Sequence, residues 1–200
     1  MARISALFWD IGGVLLTNAW DHEERDAAIR QFSLDKNHFE TCHEQIVDAF
    51  EKGKLTLDEY LSRTVFNRER AFTLEEFRSY MFCLSQPKDD VLAIARSLSR
   101  TYPMCAINNE SRELNQYRIA SYSLRDVFET FVSSCFVGIR KPDPGIYRLA
   151  LDLTQRKPEE CCFIDDRQVN LDSARLLGMN AILMRNSQQL RKDLNALGVS

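Results

Sequence analysis

No apolar run in these 200 residues approaches the roughly eighteen needed to cross a bilayer, so no membrane-spanning helix is expected. The opening residues, MARISALFWD, also lack the basic start and long apolar stretch of an export signal. The protein is therefore expected to stay where it is made, in the cytoplasm. Glycine and proline are scarce, at seven and five, and there is no internal repeat, Gly/Ser linker or low-complexity segment. Those absences exclude the fibrous and disordered classes. The chain is too short for two full-sized domains and long enough for one core carrying a small insertion.

Charge of one sign is missing too. The formal net charge is -3, with no block of five or six like charges, which gives no reason to expect nucleic acid or an anionic membrane as partner. A small molecule or a protein is the expected partner, and oligomeric state is left open. The six cysteines have neither CxxC spacing nor a secretory context, so they read as reduced core residues. The three histidines, His22, His38 and His43, share one early segment without cysteine or carboxylate at metal-ligand spacing. They read as surface or helix-packing residues rather than zinc ligands.

What is present is a composition of 44% apolar and 28% charged residues, arranged in two patterns. Short apolar runs at Ser5–Trp9, Met104–Ile107, Phe131–Phe136, Cys161–Ile164 and Ala181–Met184 suit strands buried on both faces. Between the later runs the period changes to helical. Ile146, Leu149, Ala150 and Leu153 share one face after Asp143 as N-cap and Pro144 at the first helical position. Val169, Leu171, Ala174 and Leu177 form the next stripe, which Gly178 ends. Alternating strands and helices predict an α/β fold with a doubly wound parallel sheet.

Residues 17–85 differ, because helical periodicity runs there without a strand. Phe39, Cys42, His43, Ile46, Ala49 and Phe50 make one apolar stripe, and Phe77, Tyr80, Met81 and Leu84 another. Capping boxes at Thr56–Glu59 and Thr73–Glu76 mark helix starts. The pattern predicts a small helical insertion after the first strand, packed on a core built from residues 1–16 and 86–200.

In an open parallel sheet, ligands bind beyond the carboxyl ends of the strands. The residues that follow the apolar runs are Asp10, then Asn108 with Asn109, then Asp165 with Asp166; the segment GIRKPDPGIY adds Lys141 after the third run. Converging carboxylates repel one another unless a cation neutralises them, and an all-oxygen site of this kind suits Mg²⁺.

These segments together resemble the haloacid dehalogenase superfamily. LFWDIGGVL at residues 7–15 is similar to its first motif, Ile107-Asn108-Asn109 to the second, Lys141 in GIRKPDPGIY to the third, and FIDDRQVNLDSARLLGM to the fourth. The resemblance covers residues 4–16 and about 102–185, with the motifs in order and in register. It implies a Rossmann-like core with a helical cap, Mg²⁺ as cofactor, and hydrolysis of a small phosphorylated metabolite. Asp10 would be the nucleophile, forming an aspartyl intermediate. Lys141 would neutralise charge on Asp10 and on the phosphoryl group. Asp166 would bind Mg²⁺ directly, with Asp165 holding metal-bound water or orienting Lys141, and Asp10 and the Gly12 carbonyl completing the metal site. Asn108, Asn109, Gly13 and Lys141 would line the phosphoryl pocket.

Two positions depart from the family pattern. Gly12 stands where family phosphatases carry a second aspartate that acts as general acid and base, a group that typically contributes about a hundredfold to ten-thousandfold. A slow enzyme or a substitute is expected, with Glu110 and His22 as candidates. Asn108 replaces the usual Ser or Thr, and its amide can still donate to a phosphoryl oxygen. Asn109 has two readings, a site residue or a cap for the helix of Ser111–Ala120. Trp9 and Trp20 read as packing residues. The competing functions are a metal-independent 2-haloacid dehalogenase, which also lacks the second aspartate, and a non-catalytic phosphate-binding protein.

Overall fold

The structure, a computed structural model, describes residues 3–200. Five parallel strands form one sheet in the order β3-β2-β1-β4-β5. They are β1 (Ala6–Trp9), β2 (Met104–Asn108), β3 (Thr130–Ser133), β4 (Cys161–Asp165) and β5 (Asn180–Leu183). Side chains alternate across the pleat, so β1 sends Leu7 and Trp9 to one apolar layer and Ala6 and Phe8 to the other. Helices α5 (Asp89–Leu98), α6 (Arg112–Ser121) and α10 (Ser187–Ala196) cover the first face; α8 (Pro144–Thr154) and α9 (Gln168–Leu176) cover the second. This is the doubly wound α/β arrangement that the alternating pattern predicts.

Between β1 and α5 lie α1 (His22–Gln31), α2 (Lys36–Glu51), α3 (Leu57–Thr64) and α4 (Leu74–Cys83). They have an apolar cluster of their own, centred on Phe39, Phe50, Tyr60, Leu61, Phe77 and Met81. Trp20 packs edge-on against Phe39 and Phe77. The two chain crossings into this segment run side by side, because Thr17 N donates to Gln86 O and Gln86 N donates back to the Thr17 hydroxyl, both at 2.9 Å.

Local signals place most helix ends. The boxes Thr56–Glu59 and Thr73–Glu76 form as expected, and Asp21–Glu24 adds one that the sequence reading did not single out. Asp143 caps α8 by accepting from Gly145 N at 2.8 Å. Gly178, at φ +91°, turns the chain away after α9.

Two expectations need correction. The strand expected over Phe131–Phe136 stops at Ser133, and the rest is a short helix, α7 (Ser134–Val137). The Ser134 hydroxyl accepts from Glu110 N at 3.0 Å and donates to Glu51 O at 2.6 Å, and those bonds hold the chain in a turn that apolarity alone does not reveal. Cys42 is only half-buried and Cys83, the last residue of α4, is exposed, so not all six cysteines are core residues.

Phe77 is fully buried among Trp20, Phe32, Phe66 and Phe72. Phe77→Ala is expected to cost about 3–5 kcal/mol, read from urea unfolding; a loss under about 1 kcal/mol would mean that this cluster contributes little to stability.

Candidate active site

β1 and β4 are neighbours with Trp9 opposite Ile164, so Asp10 and Asp165 leave the sheet side by side at its carboxyl edge. Asp10 Oδ1 accepts from its neighbour Ile11 N at 2.8 Å. Its Oδ2 lies 2.9 Å from Lys141 Nζ, which also donates to Asp165 Oδ2 at 2.6 Å. Lys141 and Asp165 are almost wholly sealed from solvent, at 2% and 0% exposed, whereas Asp10 at 7% opens onto a cavity. Asp165 is held on its other sides by Arg167 N at 2.8 Å and by Asn170 Nδ2, 3.0 and 3.1 Å from its two oxygens. With its oxygens so engaged, Asp165 is placed to fix the Lys141 ammonium.

Asp166 contrasts with it. Its Oδ1 is buried without any hydrogen-bond partner, a costly state for a carboxylate oxygen. One oxygen each of Asp10, Asp165 and Asp166 lie within 4.8 Å of one another, a group that can hold a metal ion. Three carboxylates and one ammonium leave a formal charge of -2, which a divalent cation cancels. The electrostatics agree. Burial pushes the Asp10 carboxyl up to about 7; Lys141 opposes the shift, and the Asp165 and Asp166 charges add to it. Burial followed by the charge of Asp165 raises Asp166. Burial works against the Lys141 ammonium, but Asp10 and Asp165 outweigh it and hold its pKa above the usual lysine range. All-oxygen donors, an orphaned oxygen and a surplus of two negative charges fit Mg²⁺.

The glycines after Asp10 have different constraints. Gly13 sits at φ +71°, and a Cβ there would fall 1.9 Å from Asp166 Oδ2, so only glycine lets the backbone pass that carboxylate. At Gly12 a Cβ would meet nothing closer than Asn18 Oδ1 at 3.5 Å and Arg118 Nη1 at 3.6 Å, so a side chain has room there.

Asn108 is placed differently from the expectation. It is 1% exposed, donates its amide to Asn115 Oδ1 at 3.0 Å, accepts from the Ser133 hydroxyl at 2.7 Å, and does not line the cavity. At the end of β2 its side chain turns inward, where it ties β2 to β3 and α6. Asn109 does not cap the following helix, whose N-cap is Ser111. Its amide clamps the Lys141 backbone, donating to Lys141 O at 2.9 Å and accepting from Lys141 N at 2.8 Å.

The cavity, about 330 Å³, lies between the sheet edge and helices α1 and α2. Both candidates for the missing acid-base group line it. Glu110 is buried, paired with Arg118 Nη1 at 2.9 Å, and pushed by burial up to about 7 against the opposing pull of Arg118. His22 is exposed, with Nδ1 2.9 Å from Arg25 Nη2. Arg25, Glu40, His43, Arg118 and Asn170 also line the cavity, and the sequence reading assigned none of them a site role. Asn170 alone had a signal: it stands one helical turn past Asp166, within the fourth motif.

Residues 4–178 match the haloacid dehalogenase-like hydrolase family. The chain belongs to this family. Among its relatives is the flavin mononucleotide hydrolase 1 of Arabidopsis thaliana, 30% identical over an alignment of 172 residues that covers 82% of this chain and 67% of that protein. Another is the bifunctional epoxide hydrolase 2 of Sus scrofa, 42% identical over 97% of the chain; the match spans only 38% of that longer protein. A third is the (S)-2-haloacid dehalogenase 4A of Burkholderia cepacia, 28% identical over 76% of the chain and 66% of that protein. A HAD family enzyme from Bacteroides thetaiotaomicron has the same fold, with a TM-score of 0.79 at 21% identity over 92% of this chain and 95% of that one. That enzyme has also been crystallised with magnesium and inorganic phosphate. In this HAD-like hydrolase no described helix is long and apolar enough to cross a membrane.

Two outcomes follow for the acidic cluster. Gly13→Ala is expected to abolish stabilisation by Mg²⁺, while Gly12→Ala keeps it; equal behaviour of the two variants in thermal melts would contradict the steric account. Mg²⁺ at about a hundred times its Kd is expected to raise Tm by roughly 5–10 °C. A cation competes with the proton that Asp10 holds up to about 7 instead of 3.8, so the rise grows as pH increases across that interval. Melts with EDTA and with Mg²⁺ at about pH 5 and about pH 8 check this, and Asp166→Asn is expected to remove the difference.

Proposed function

We propose that this HAD-like hydrolase is a Mg²⁺-dependent phosphomonoesterase that works through an aspartyl-phosphate on Asp10. The observation that carries this reading is the orphaned Asp166 oxygen beside Asp10 and Asp165, a surplus of negative charge next to the cavity onto which Asp10 opens. Asp10 and Asp166 would hold the ion, with the Gly12 carbonyl as a further oxygen donor. When bound, it screens the phosphoryl oxygens from the nucleophile's charge.

The chain's own groups account for the remaining steps. An Asp10 oxygen attacks phosphorus, the bond from phosphorus to the leaving oxygen breaks, and that oxygen takes a proton. Lys141, fixed between Asp10 and Asp165, keeps a positive charge beside the transferring group without occupying the cavity. A water then attacks phosphorus, gives up a proton, and the Asp10 carboxylate leaves. Gly12 cannot move those protons. We assign them to Glu110, the cavity carboxyl whose pKa near neutrality suits general acid-base work. His22 is less suited, because the Arg25 guanidinium only donates and so occupies the lone pair of Nδ1.

The absence of a second aspartate also fits a haloacid dehalogenase, which one relative is by name. Three clustered carboxylates make a poor setting for a metal-free carboxylate nucleophile, which favours the phosphatase reading. The same absence fits a phosphate-binding protein without turnover.

With p-nitrophenyl phosphate and Mg²⁺, turnover is expected, and EDTA or Asp10→Asn should abolish it. Gly12→Asp is expected to raise kcat about tenfold or more, and Glu110→Gln to lower it by a similar factor. Halide release from 2-chloropropionate in EDTA would select the dehalogenase, and retained activity in Asp10→Asn would exclude the covalent route.

A further inference from the structure

The cavity above Asp10 is walled by α1 and α2, and each cation that lines it is already paired. Arg25 is bonded to Glu40 at 3.2 Å, Arg118 to Glu110 at 2.9 Å, Arg140 to Glu51 at 2.9 Å, Lys141 to Asp10 at 2.9 Å, and Arg167 to Asp21. Glu44, exposed at the rim, has no ion-pair partner among the described residues, so the wall's surplus is negative. An anionic group on the substrate, beyond the phosphoryl being transferred, would have to draw a cation out of an existing pair.

The same wall holds one neutral donor whose direction is set from behind. Trp20 Nε1 lies 2.9 Å from Tyr60 Oη, and Tyr60 Oη lies 2.7 Å from His43 Nδ1. An indole N–H can only donate, so it takes a lone pair of the tyrosine oxygen. Tyr60 is wholly buried, which leaves its hydroxyl hydrogen one acceptor, His43 Nδ1. The imidazole then carries its own hydrogen on Nε2. That nitrogen has no protein partner among the described residues and is not among the sealed, unsatisfied atoms, and the ring lines the cavity. Burial and the adjacent Arg25 push the His43 pKa down to about 4, so the ring is uncharged at neutral pH.

We propose that the wall selects a small phosphomonoester whose leaving group is uncharged and bears hydroxyls, with the Nε2–H of His43 as a fixed donor to one of its oxygens. This rests on the phosphomonoesterase reading above. An uncharged donor beside paired cations suits a sugar or polyol oxygen better than a carboxylate or a second phosphate. The cavity volume, about 330 Å³, is at the lower end of small-molecule sites.

The test compares kcat/KM, with Mg²⁺, for glycerol 1-phosphate, ribose 5-phosphate and glucose 6-phosphate against 3-phosphoglycerate, fructose 1,6-bisphosphate, FMN and p-nitrophenyl phosphate. At least one of the three neutral polyol esters is expected to exceed both anionic esters by about tenfold or more, with FMN excluded by size. His43→Phe is expected to lower the ratio of that polyol ester to p-nitrophenyl phosphate about tenfold, mostly through KM. Preference for an anionic ester or for FMN, or an unchanged ratio in His43→Phe, overturns the proposal while leaving the phosphatase reading intact. Failure to turn over any ester, p-nitrophenyl phosphate included, overturns both. Ring ¹⁵N spectra give a reading that needs no turnover: His43 should be protonated on Nε2, with the Nδ1-protonated form rising in Tyr60→Phe. A wild-type ring protonated on Nδ1 would refute the relay.

Discussion

The buried ammonium of Lys141 is the interaction on which the site depends. It is bonded at 2.9 Å to Asp10 and at 2.6 Å to Asp165, deep enough that neither it nor Asp165 reaches bulk water. A buried ion pair is weak evidence of net stability, because desolvation can cancel the attraction, yet removing one partner leaves an uncompensated charge. What the pair supplies is position. Asp165 is anchored by Arg167 N and Asn170, Lys141 by Asn109 through its backbone, and Asp10 is drawn to the ammonium between them. The lysine neutralises only one of three carboxylates, so the site stays charged until a divalent cation enters.

Topology explains why these groups meet. β1 is central, flanked by β2 and β4, so the residues leaving their carboxyl ends converge on one edge. The register Trp9 opposite Ile164 puts Asp10 level with Asp165, and slipping by one residue would turn one carboxylate to the opposite face. Lys141 comes from farther along the sheet, after α7. Asn109, just past β2, holds its backbone with two hydrogen bonds and so carries the strand edge's geometry to the lysine.

Much of this was legible in the sequence, for a definite reason. Where a strand's apolar run ends, the next polar residue stands at the sheet edge, and that rule alone found Asp10, Asp165 and Asp166. Asn108 obeys the same rule yet turns inward to Asn115 and Ser133, because position along a strand fixes the edge but not the side-chain direction there. Lys141 does not itself end an apolar run; it is visible from its place in the segment that follows the third run and from its motif. The cavity wall is legible only in part: Glu110 and His22 stand out as acid-base candidates, whereas Arg25, Glu40, His43 and Arg118 do not. His43 reads as a surface or helix-packing residue, and it is buried; its place in an apolar stripe says only that it faces inward, not that inward is a cavity. The pairs of Arg25 with Glu40 and Arg118 with Glu110 depend on rotamers of long side chains that no one-dimensional pattern encodes.

Gly12 acquires meaning from Arg118. The space a side chain would fill at position 12 is bordered by Arg118 Nη1, 3.6 Å from an added Cβ, and that guanidinium is held by Glu110 and by the Thr17 carbonyl. A carboxylate at position 12 would find the same guanidinium within reach. An acid at position 12 would therefore lie beside the arginine that Glu110 already engages. The missing aspartate leaves no hole in the electrostatics, because its counter-charge is already engaged by a buried carboxyl whose pKa lies near 7. On the proposed mechanism Glu110, held in the ion pair with Arg118, would carry the proton that an acid at position 12 would otherwise carry.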